Sequence, residues 1–288
     1  MNSKLVKTTG AIVMLAMTFT SCVSKSGTSQ QEEKNTGETT SIEGVDTLQL
    51  DNVTAVWLQD NGSDKLMPRT LFADAPDTLI EQLSLQEGIP STVSAFWVEA
   101  NGEHILFDAG VGGTDGKFME RLHAIGVTPD DVRYLYLTHL HFDHIGGMMC
   151  GDSIRFPQAE VYVAKAEYDA WMQMPAEQNA KVVATMEAYK ERLHLFAFGD
   201  TLPGGVLAID AAGHTPGHTA FKAGSLLVVG DIMHGAALQV PHPEYCAEYD
   251  MDKAKAVEAR RRLMEYARDN RLTMAGMHLP APAFLDIE

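Results

Sequence analysis

Six consecutive residues, His139-Leu140-His141-Phe142-Asp143-His144, constrain the fold and chemistry of this chain more than any other feature. They directly follow an apolar run that is typical of a buried strand. On a loop that leaves a strand, alternate residues such as His139 and His141 can point to the same side. Asp143 and His144 can then face a second point nearby, where the chain turns into a helix. Imidazole and carboxylate groups are ligands that suit zinc, iron or manganese. The segment therefore predicts a metal site at the end of a strand, in preference to a run of surface histidines.

Three later segments supply further candidate ligands. Gly213-His214-Thr215-Pro216-Gly217-His218 joins two predicted strands, and its spacing leaves His214 and His218 as alternative ligands. Asp231 follows a buried apolar run, and a carboxylate in that position needs a partner because an unpaired buried charge is costly. His278 follows the last predicted strand.

Hydrophobic periodicity predicts a mixed α/β domain. Strands are expected at 48–58, 66–72, 93–98, 104–107, 131–138, 160–164, 206–211, 219–229 and 272–277, with helices at 116–125, within 165–193 and at 252–269. Asn101-Gly102 is a strong hairpin turn pair between two of these strands. Hairpins followed by mixed strands and helices indicate two sheets covered by helices in a single domain.

Together these motifs resemble the metallo-β-lactamase superfamily. The resemblance rests on the His-x-His-x-Asp-His signature, on Gly-His-Thr-Pro-Gly-His, on Gly230-Asp231 and on the late His278, and it covers about residues 50 to 285. It implies an αββα sandwich of two mixed sheets flanked by helices. In relatives the chain continues past the late histidine into a final strand. Only ten residues follow His278 here, so we expect that this edge element is lost or that the sequence ends before it.

The resemblance also implies two divalent metal ions, with zinc as the default and manganese or iron as alternatives. Three imidazoles would hold the first ion: His139, His141 and His214. A carboxylate and two imidazoles would hold the second: Asp143, His144 and His278. Asp231 would bridge the two ions.

Five further residues are expected around these ligands. Asp108 lies in Phe107-Asp108-Ala109-Gly110, which resembles a turn that braces the metal loop in this family. Thr138 and His218 would also orient ligands without binding metal, although His218 could equally be a histidine without a functional role. Trp171 and His234 are predicted to line the substrate pocket, and the alternative for Trp171 is packing between helices.

A metal pair of this kind can share a hydroxide and stabilise both the attacking and the leaving oxygen. We therefore predict hydrolysis, with Asp231 holding the metals and Asp143 passing a proton to the leaving group. Residues 230–240 resemble the branch that contains methyl parathion hydrolases and lactonases. This resemblance favours small-molecule lactone or ester substrates, with phosphotriesters as further candidates. The alternatives are a thioesterase like glyoxalase II and a non-catalytic metal-binding surface lipoprotein.

The net charge of the chain limits the classes of partner and substrate that it is expected to bind. The chain carries 39 acidic against 22 basic residues, a formal net charge of −17. Binding to nucleic acid requires clustered Lys and Arg, which this composition does not favour. An acidic protein also does little to concentrate anionic substrates. The sequence leaves open whether the chain forms a homodimer.

The first 22 residues resemble a bacterial signal peptide that ends in a lipoprotein-like cleavage box, Phe19-Thr20-Ser21-Cys22. Residues 23–46 have the composition of a disordered tether, and the hydrolase domain is expected at 47–288. We therefore expect an exported protein of the periplasm or outer surface, anchored in the membrane only by a lipid on Cys22. Whether Cys150 and Cys246 form a disulfide is left open.

Overall fold

The computed structural model describes residues 42–63, 65–114 and 116–288. The predicted signal peptide, Cys22 and most of the predicted tether lie outside these residues. The first strand among the described residues begins at Val45, two residues before the predicted start of the domain. Within the described part of the chain, no helix is long and apolar enough to cross a membrane.

The first part of the domain is rich in hairpins. Asn101 and Gly102 both have positive φ, 51° and 79°, as the turn pair between two of its strands requires. The elements are β1 (Val45–Leu50), β2 (Val53–Gln59), β3 (Lys65–Met67), α1 (Asp77–Gln82), β4 (Ile89–Ser91), β5 (Ser94–Ala100) and β6 (Glu103–Phe107).

The middle part alternates between helices and strands. The helical stretches predicted within 165–193 form two helices, which are separated at Pro175. The elements are α2 (Phe118–Ala124), β7 (Tyr134–Tyr136), α3 (Phe142–Ile145), β8 (Met149–Cys150), β9 (Ser153–Ile154), β10 (Glu160–Ala164), α4 (Lys165–Met172), α5 (Ala176–Ala188) and β11 (Leu193–Phe196).

The last part contains the predicted long helix. Its N-cap, Asp252, accepts a hydrogen bond from the backbone N–H of Lys255 at 3.1 Å. The elements are β12 (Thr201–Leu202), β13 (Val206–Asp210), β14 (Thr219–Ala223), β15 (Leu226–Val228), α6 (Ala236–Gln239), α7 (Lys253–Asn270), β16 (Thr273–Ala275) and β17 (Phe284–Asp286).

Two large mixed sheets form the centre of the domain. The first has the order β1-β2-β5-β6-β7-β10-β11, in which the pairs from β6 onward are parallel. The second has the order β12-β13-β14-β15-β16-β17, and only β15 and β16 pair in parallel. Small two-stranded sheets, β3-β4 and β8-β9, lie beside them.

The strand period of two explains how the layers stack. On β6, Ile105 and Phe107 point into a core shared by both sheets, where the Phe107 ring lies 5.4 Å from that of Phe221 on β14. Leu106 points the other way, into a second core that includes Trp171 of α4 and other helix residues. Helix α7 adds residues to the first core. The predicted α/β sandwich of two mixed sheets with flanking helices is therefore confirmed.

Three strand predictions need correction. The strand predicted at 48–58 is the hairpin β1-β2, because the chain turns at Asp51, whose φ is 29°. The strand predicted at 219–229 likewise turns at Gly224, whose φ is 54°, to form β14 and β15. The strand predicted at 66–72 ends at Met67, since Pro68 precedes a short 3-10 helix, Arg69–Phe72.

The expectation that the final edge strand is absent is wrong. After His278 the chain forms β17, which pairs antiparallel with β16 at the edge of the second sheet. The Phe284 ring of β17 lies 5.7 Å from that of Phe96, a buried residue of β5 in the first sheet. β17 is therefore the edge strand of the second sheet, and its Phe284 packs against the first sheet.

Candidate metal centre

The His-rich loop runs from the end of β7 into α3 and carries ligands on both sides of that boundary. His141 is still extended, with φ −66° and ψ 155°, and it is the residue before α3. Asp143 and His144 lie on the single turn of α3 and therefore face a different point from His139 and His141. The change from strand to helix geometry within one loop thus supplies two adjacent sets of ligands.

Three imidazole nitrogens converge on one side, and we call these residues the three-histidine group: His139, His141 and His214. His141 Nδ1 lies 3.0 Å from His139 Nε2 and 2.9 Å from His214 Nε2. His214 reaches this point from the loop between β13 and β14. Three imidazole nitrogens this close together are better arranged to bind a single cation than to form hydrogen bonds with one another.

A second set, which we call the mixed group, lies on the other side: Asp143, His144 and His278. Its ligand atoms lie within 4.8 Å of one another. His278 Nε2 is 3.3 Å from Asp143 Oδ2, and His144 Nε2 is 3.8 Å from Asp143 Oδ1. His278 follows β16, so the end of the second sheet completes a group that the first sheet begins.

Asp231 lies between the two groups. Its Oδ2 is 3.4 Å from His214 Nε2 and 3.1 Å from His278 Nε2, and its Oδ1 is 3.3 Å from His144 Nε2. The carboxylate follows β15, as the sequence predicts, and it is 2% exposed. One side chain therefore contacts ligands of both groups.

His218 uses both of its ring nitrogens away from the cluster centre. Its Nδ1 lies 3.1 Å from the carbonyl of Ala211, and its Nε2 accepts a hydrogen bond from the backbone N–H of Asp231 at 2.9 Å. Gly230 makes room for this contact, since a Cβ there would lie 2.3 Å from His218 Nε2. The structure thus places His214 in the cluster and His218 behind Asp231.

Asp108 braces the mixed group and the loop before it. Its carboxylate accepts hydrogen bonds from the Thr138 backbone N–H at 2.8 Å and from the Thr138 hydroxyl at 2.7 Å. His144 Nδ1 lies 2.7 Å from Asp108 Oδ2. Burial raises the pKa of Asp108, although His144 and Thr138 act against this effect.

Two further partners of the ligands carry no sequence motif, and sequence reasoning missed them. His214 Nδ1 lies 3.0 Å from Asp250 Oδ1, and His278 Nδ1 lies 2.8 Å from the carbonyl oxygen of Thr92. Each of these imidazoles can donate from Nδ1 to an acceptor, which leaves the Nε2 lone pair directed at the cluster. Asp250 in turn pairs with Arg260, a fully buried side chain of α7, at 3.3 Å.

The two groups differ in protonation. Burial lowers the pKa of His141 and of His214 to about 4, so both are neutral near pH 7. Burial would also lower the pKa of His144 and His278, but Asp231 and the neighbouring carboxylates reverse this effect. They raise the pKa of His278 to about 10 and that of His144 well above its ordinary value. The carboxylates of the mixed group therefore favour a positive charge at this point.

The residues fit a pair of divalent metal ions. Two buried atoms of the candidate ligands, His144 Nε2 and Asp231 Oδ1, have no hydrogen-bond partner among the described residues, although buried polar atoms are normally paired. The donor set combines imidazole nitrogens with carboxylate oxygens, as catalytic zinc sites do. The seven predicted ligands are thus brought together around Asp231, in two groups that could each hold one ion.

A cavity of about 370 Å³ opens over the cluster. His234 lines it, as predicted, and neither Nδ1 nor Nε2 of this buried imidazole has a hydrogen-bond partner in the part of the chain that the structure describes. Trp171 is not among the described residues that line this cavity; it is buried behind His141, with the ring centroids 5.6 Å apart. The cavity residues outside the two groups and Asp231 are Lys65, Met67, Phe142, His234 and Tyr249.

Within the described part of the chain, Cys150 and Cys246 form no disulfide with each other, the pairing that the sequence left open. Cys150 is exposed at the start of the β8-β9 turn, whereas Cys246 is buried. Burial raises the pKa of the Cys246 thiol, and its Sγ lies within 4.0 Å of Arg260.

A comparison with known families decides the assignment. Residues 88–271 match the family described as the metallo-beta-lactamase superfamily, and this stretch includes all but one of the seven predicted ligands. The chain belongs to the metallo-β-lactamase superfamily. The resemblance predicted from the motifs is therefore confirmed, as is the prediction that the chain belongs to a family of metal-dependent hydrolases.

Solved structures of other members of the superfamily share its fold. The hydrolase AbOPH is 30% identical, with a TM-score of 0.75 over 85% of this chain and 93% of that one. AidC, described as a dizinc quorum-quenching lactonase, is 22% identical, with a TM-score of 0.76 over 84% of this chain and 92% of that one. At this identity, the likeness to AidC supports the fold alone.

Curated relatives include lactonases. An N-acyl homoserine lactonase of Bacillus sp is 32% identical over 124 residues, which are 41% of this chain and 45% of that protein. The N-acyl homoserine lactonase AttM of Azorhizobium caulinodans is 28% identical over 177 residues, 52% of this chain and 60% of that protein. The chain thus spans about half the length of the curated relatives that it matches.

Proposed function

We propose that this chain hydrolyses a small lactone or ester with a pair of divalent metal ions, zinc being the default. The observation that carries the proposal is the position of Asp231, which contacts both the three-histidine group and the mixed group at the floor of an open cavity. The lactonase relatives support the choice of reaction. Phosphotriesters, which have a similarly uncharged reacting centre, are further candidate substrates.

The cavity walls support an uncharged substrate with some apolar surface. Phe142 and Tyr249 are each 49% exposed, and Met67 lines the same cavity. Apart from histidine, Lys65 is the one cationic side chain among the described residues of the lining. This lining offers a strongly anionic substrate, such as a glutathione thioester, few ionic contacts.

The chain's own residues would divide the work as follows. The three-histidine group would hold one ion, the mixed group would hold the other, and Asp231 would contact both. When bound, such ions activate water near neutral pH and polarise the carbonyl or phosphoryl group that is attacked. The walls of the cavity would orient the substrate above Asp231.

Two side chains at the cavity have further roles in the proposal. Asp143 is 33% exposed and faces the cavity, so it can pass a proton to the leaving oxygen. His234 Nε2 lies 3.2 Å from Asp231 Oδ2 and has no hydrogen-bond partner within the described ranges, so it can donate to a substrate oxygen. His234→Phe should then lower kcat while the metal content of the protein stays unchanged.

A small substrate panel tests the reaction. Bound metal is first removed from the purified chain, and zinc or manganese is then added. The chain is assayed on a long-chain homoserine lactone, an aryl ester, a phosphotriester, a glutathione thioester and a cephalosporin. We expect turnover of the lactone or the ester that is lost on chelation. Turnover of the thioester alone would favour the glyoxalase-like alternative. Tight binding of two metals without turnover of any member would favour a non-catalytic lipoprotein.

We also propose that the protein is exported and attached to a membrane through a lipid on Cys22. The support is the lipoprotein-like box and the tether composition of residues 23–46. In a bacterial host, Cys22→Ser should move the protein from the membrane fraction to the soluble fraction. An unchanged distribution would contradict lipid attachment.

A further inference from the structure

Glu167 of α4 is a completely buried carboxylate outside the two ligand groups, with an exposure of 0%. Its oxygens accept four hydrogen bonds. Oε1 accepts from the backbone N–H of Leu140 at 3.0 Å and from the indole N–H of Trp171 at 2.7 Å. Oε2 accepts from the hydroxyl of Thr215 at 2.8 Å and from the backbone N–H of Gly217 at 2.8 Å.

Three of these four donors belong to the two loops that carry the three-histidine group, and the fourth is on α4 itself. Leu140 lies between His139 and His141, and Thr215 directly follows His214. A single carboxylate therefore holds together two loops that are far apart in the sequence. The indole of Trp171, fixed by the same carboxylate, presents its ring at 89° to that of His141.

The approach of the second loop to α4 is close. A Cβ at Gly217 would lie 2.1 Å from the backbone nitrogen of Glu167, so only glycine allows this contact. A buried carboxylate is costly unless donors satisfy it, and burial raises the pKa of Glu167 against the effect of these four hydrogen bonds. An apolar side chain could pack α4 against the two loops with a smaller desolvation penalty. The carboxylate therefore has a role beyond packing.

We propose that Glu167 is a positioning residue that sets the metal affinity of the three-histidine group. Asp108 would have the same part at the mixed group, where its Oδ2 lies 2.7 Å from His144 Nδ1. The proposal rests on the metal pair of the proposed function and gives each half of it a buried carboxylate behind its imidazoles. Replacing a residue that lies behind a metal ligand typically changes metal affinity by about 10–100-fold, and we expect an effect in this range.

The test is a titration of the metal-free protein with Co²⁺, followed by absorption spectroscopy. His214→Ala and His278→Ala identify which binding step belongs to which group. Glu167→Gln keeps the shape of the side chain but turns an amide N–H₂ towards donors. We expect it to weaken the step of the three-histidine group about 10–100-fold and to change that group's Co²⁺ spectrum. The step of the mixed group should stay within about threefold, well below that range.

Three further variants make the test specific. Asp108→Asn should weaken the other step, and Trp171→Phe, which removes one donor to Glu167, should weaken the same step as Glu167→Gln by a smaller factor. Asp169→Asn is the matched control, since Asp169 lies on the same helix with its side chain 46% exposed and pairs only with Lys165 among the described residues. It should bind Co²⁺ like the wild type.

The outcomes separate this inference from the proposed function. Two normal steps in both Glu167→Gln and Trp171→Phe would overturn the positioning role, as would an equal weakening of both steps, which indicates a general structural effect. If Glu167→Gln does not fold, Trp171→Phe decides alone. A wild-type protein that fails to bind two ions would overturn the proposed metal pair, and this inference with it.

Discussion

The three-histidine group and the mixed group share Asp231, yet they differ in charge and in support. The three-histidine group consists of neutral imidazoles whose pKa values burial keeps low. The mixed group contains a carboxylate and two imidazoles whose pKa values the surrounding carboxylates raise. Behind the first group lie Glu167 and the Asp250–Arg260 pair, and behind the second lie Asp108 and a backbone carbonyl.

This difference has a chemical consequence. An ion that enters the three-histidine group meets nitrogen lone pairs that are already free of protons near pH 7. An ion that enters the mixed group must displace protons, because metal ligands bind in their deprotonated form. The two halves should therefore differ in their pH dependence although they lie side by side.

The largest expected effect comes from the residue that the two groups share. Asp231→Asn should reduce metal-dependent hydrolysis by more than about a hundredfold, since even residues behind the ligands have effects of about 10–100-fold. It should lower Co²⁺ affinity at both steps, whereas His141→Ala should abolish activity while it affects mainly one step. Steady-state kinetics and Co²⁺ titration measure these effects, and circular dichroism checks that each variant folds. Undiminished activity in both variants would contradict the mechanism.

The next effect concerns the support of the three-histidine group. Arg260→Met leaves the buried Asp250 carboxylate with the neutral imidazole of His214 as its remaining side-chain partner among the described residues. Removing one member of a buried ion pair costs about 3 kcal/mol or more. We expect the free energy of unfolding in urea to fall by about this amount in the metal-free protein. Arg261→Met, at the neighbouring exposed position of α7, should change it little. An equal loss of unfolding free energy in Arg260→Met and Arg261→Met would contradict the supporting role of the Asp250–Arg260 pair.

The smallest effect is a difference in pH dependence. In the metal-free protein the pKa of His278 is raised to about 10, from an unfolded value near 6.5. The stability that its proton contributes is present below about pH 6.5 and is lost as the pH rises through about 10. Metal affinity of the mixed group should thus rise between pH 7 and 8.5, by about tenfold per pH unit for each proton displaced.

The three-histidine group should show almost no slope over the same range, because the pKa values of His141 and His214 lie near 4. Calorimetry in two buffers that differ in ionisation enthalpy measures the protons released at each step. Equal proton release at both binding steps would contradict the predicted difference in protonation between the two groups.

The candidate ligands could be predicted from the sequence because they follow strand ends in short, chemically unusual motifs. His139 to His144, His214, Asp231 and His278 can each be found without knowledge of the fold. Glu167, Asp250 and Arg260 cannot be found in this way. Each is an isolated charged residue in an ordinary helix or loop, and its partner is set only by tertiary packing. The turn at Asp51 was missed for a related reason, since the alternation of apolar residues continues on the other side of it.

The proposed function requires two metal ions that share Asp231. Anomalous diffraction at the zinc absorption edge tests this requirement most directly. Crystals of the zinc-loaded protein should show two peaks about 3.5–4 Å apart, the separation typical of two-metal sites. One peak should contact His139, His141 and His214, the other should contact Asp143, His144 and His278, and both should contact Asp231. A single peak, or two peaks of which only one contacts Asp231, would contradict the shared centre.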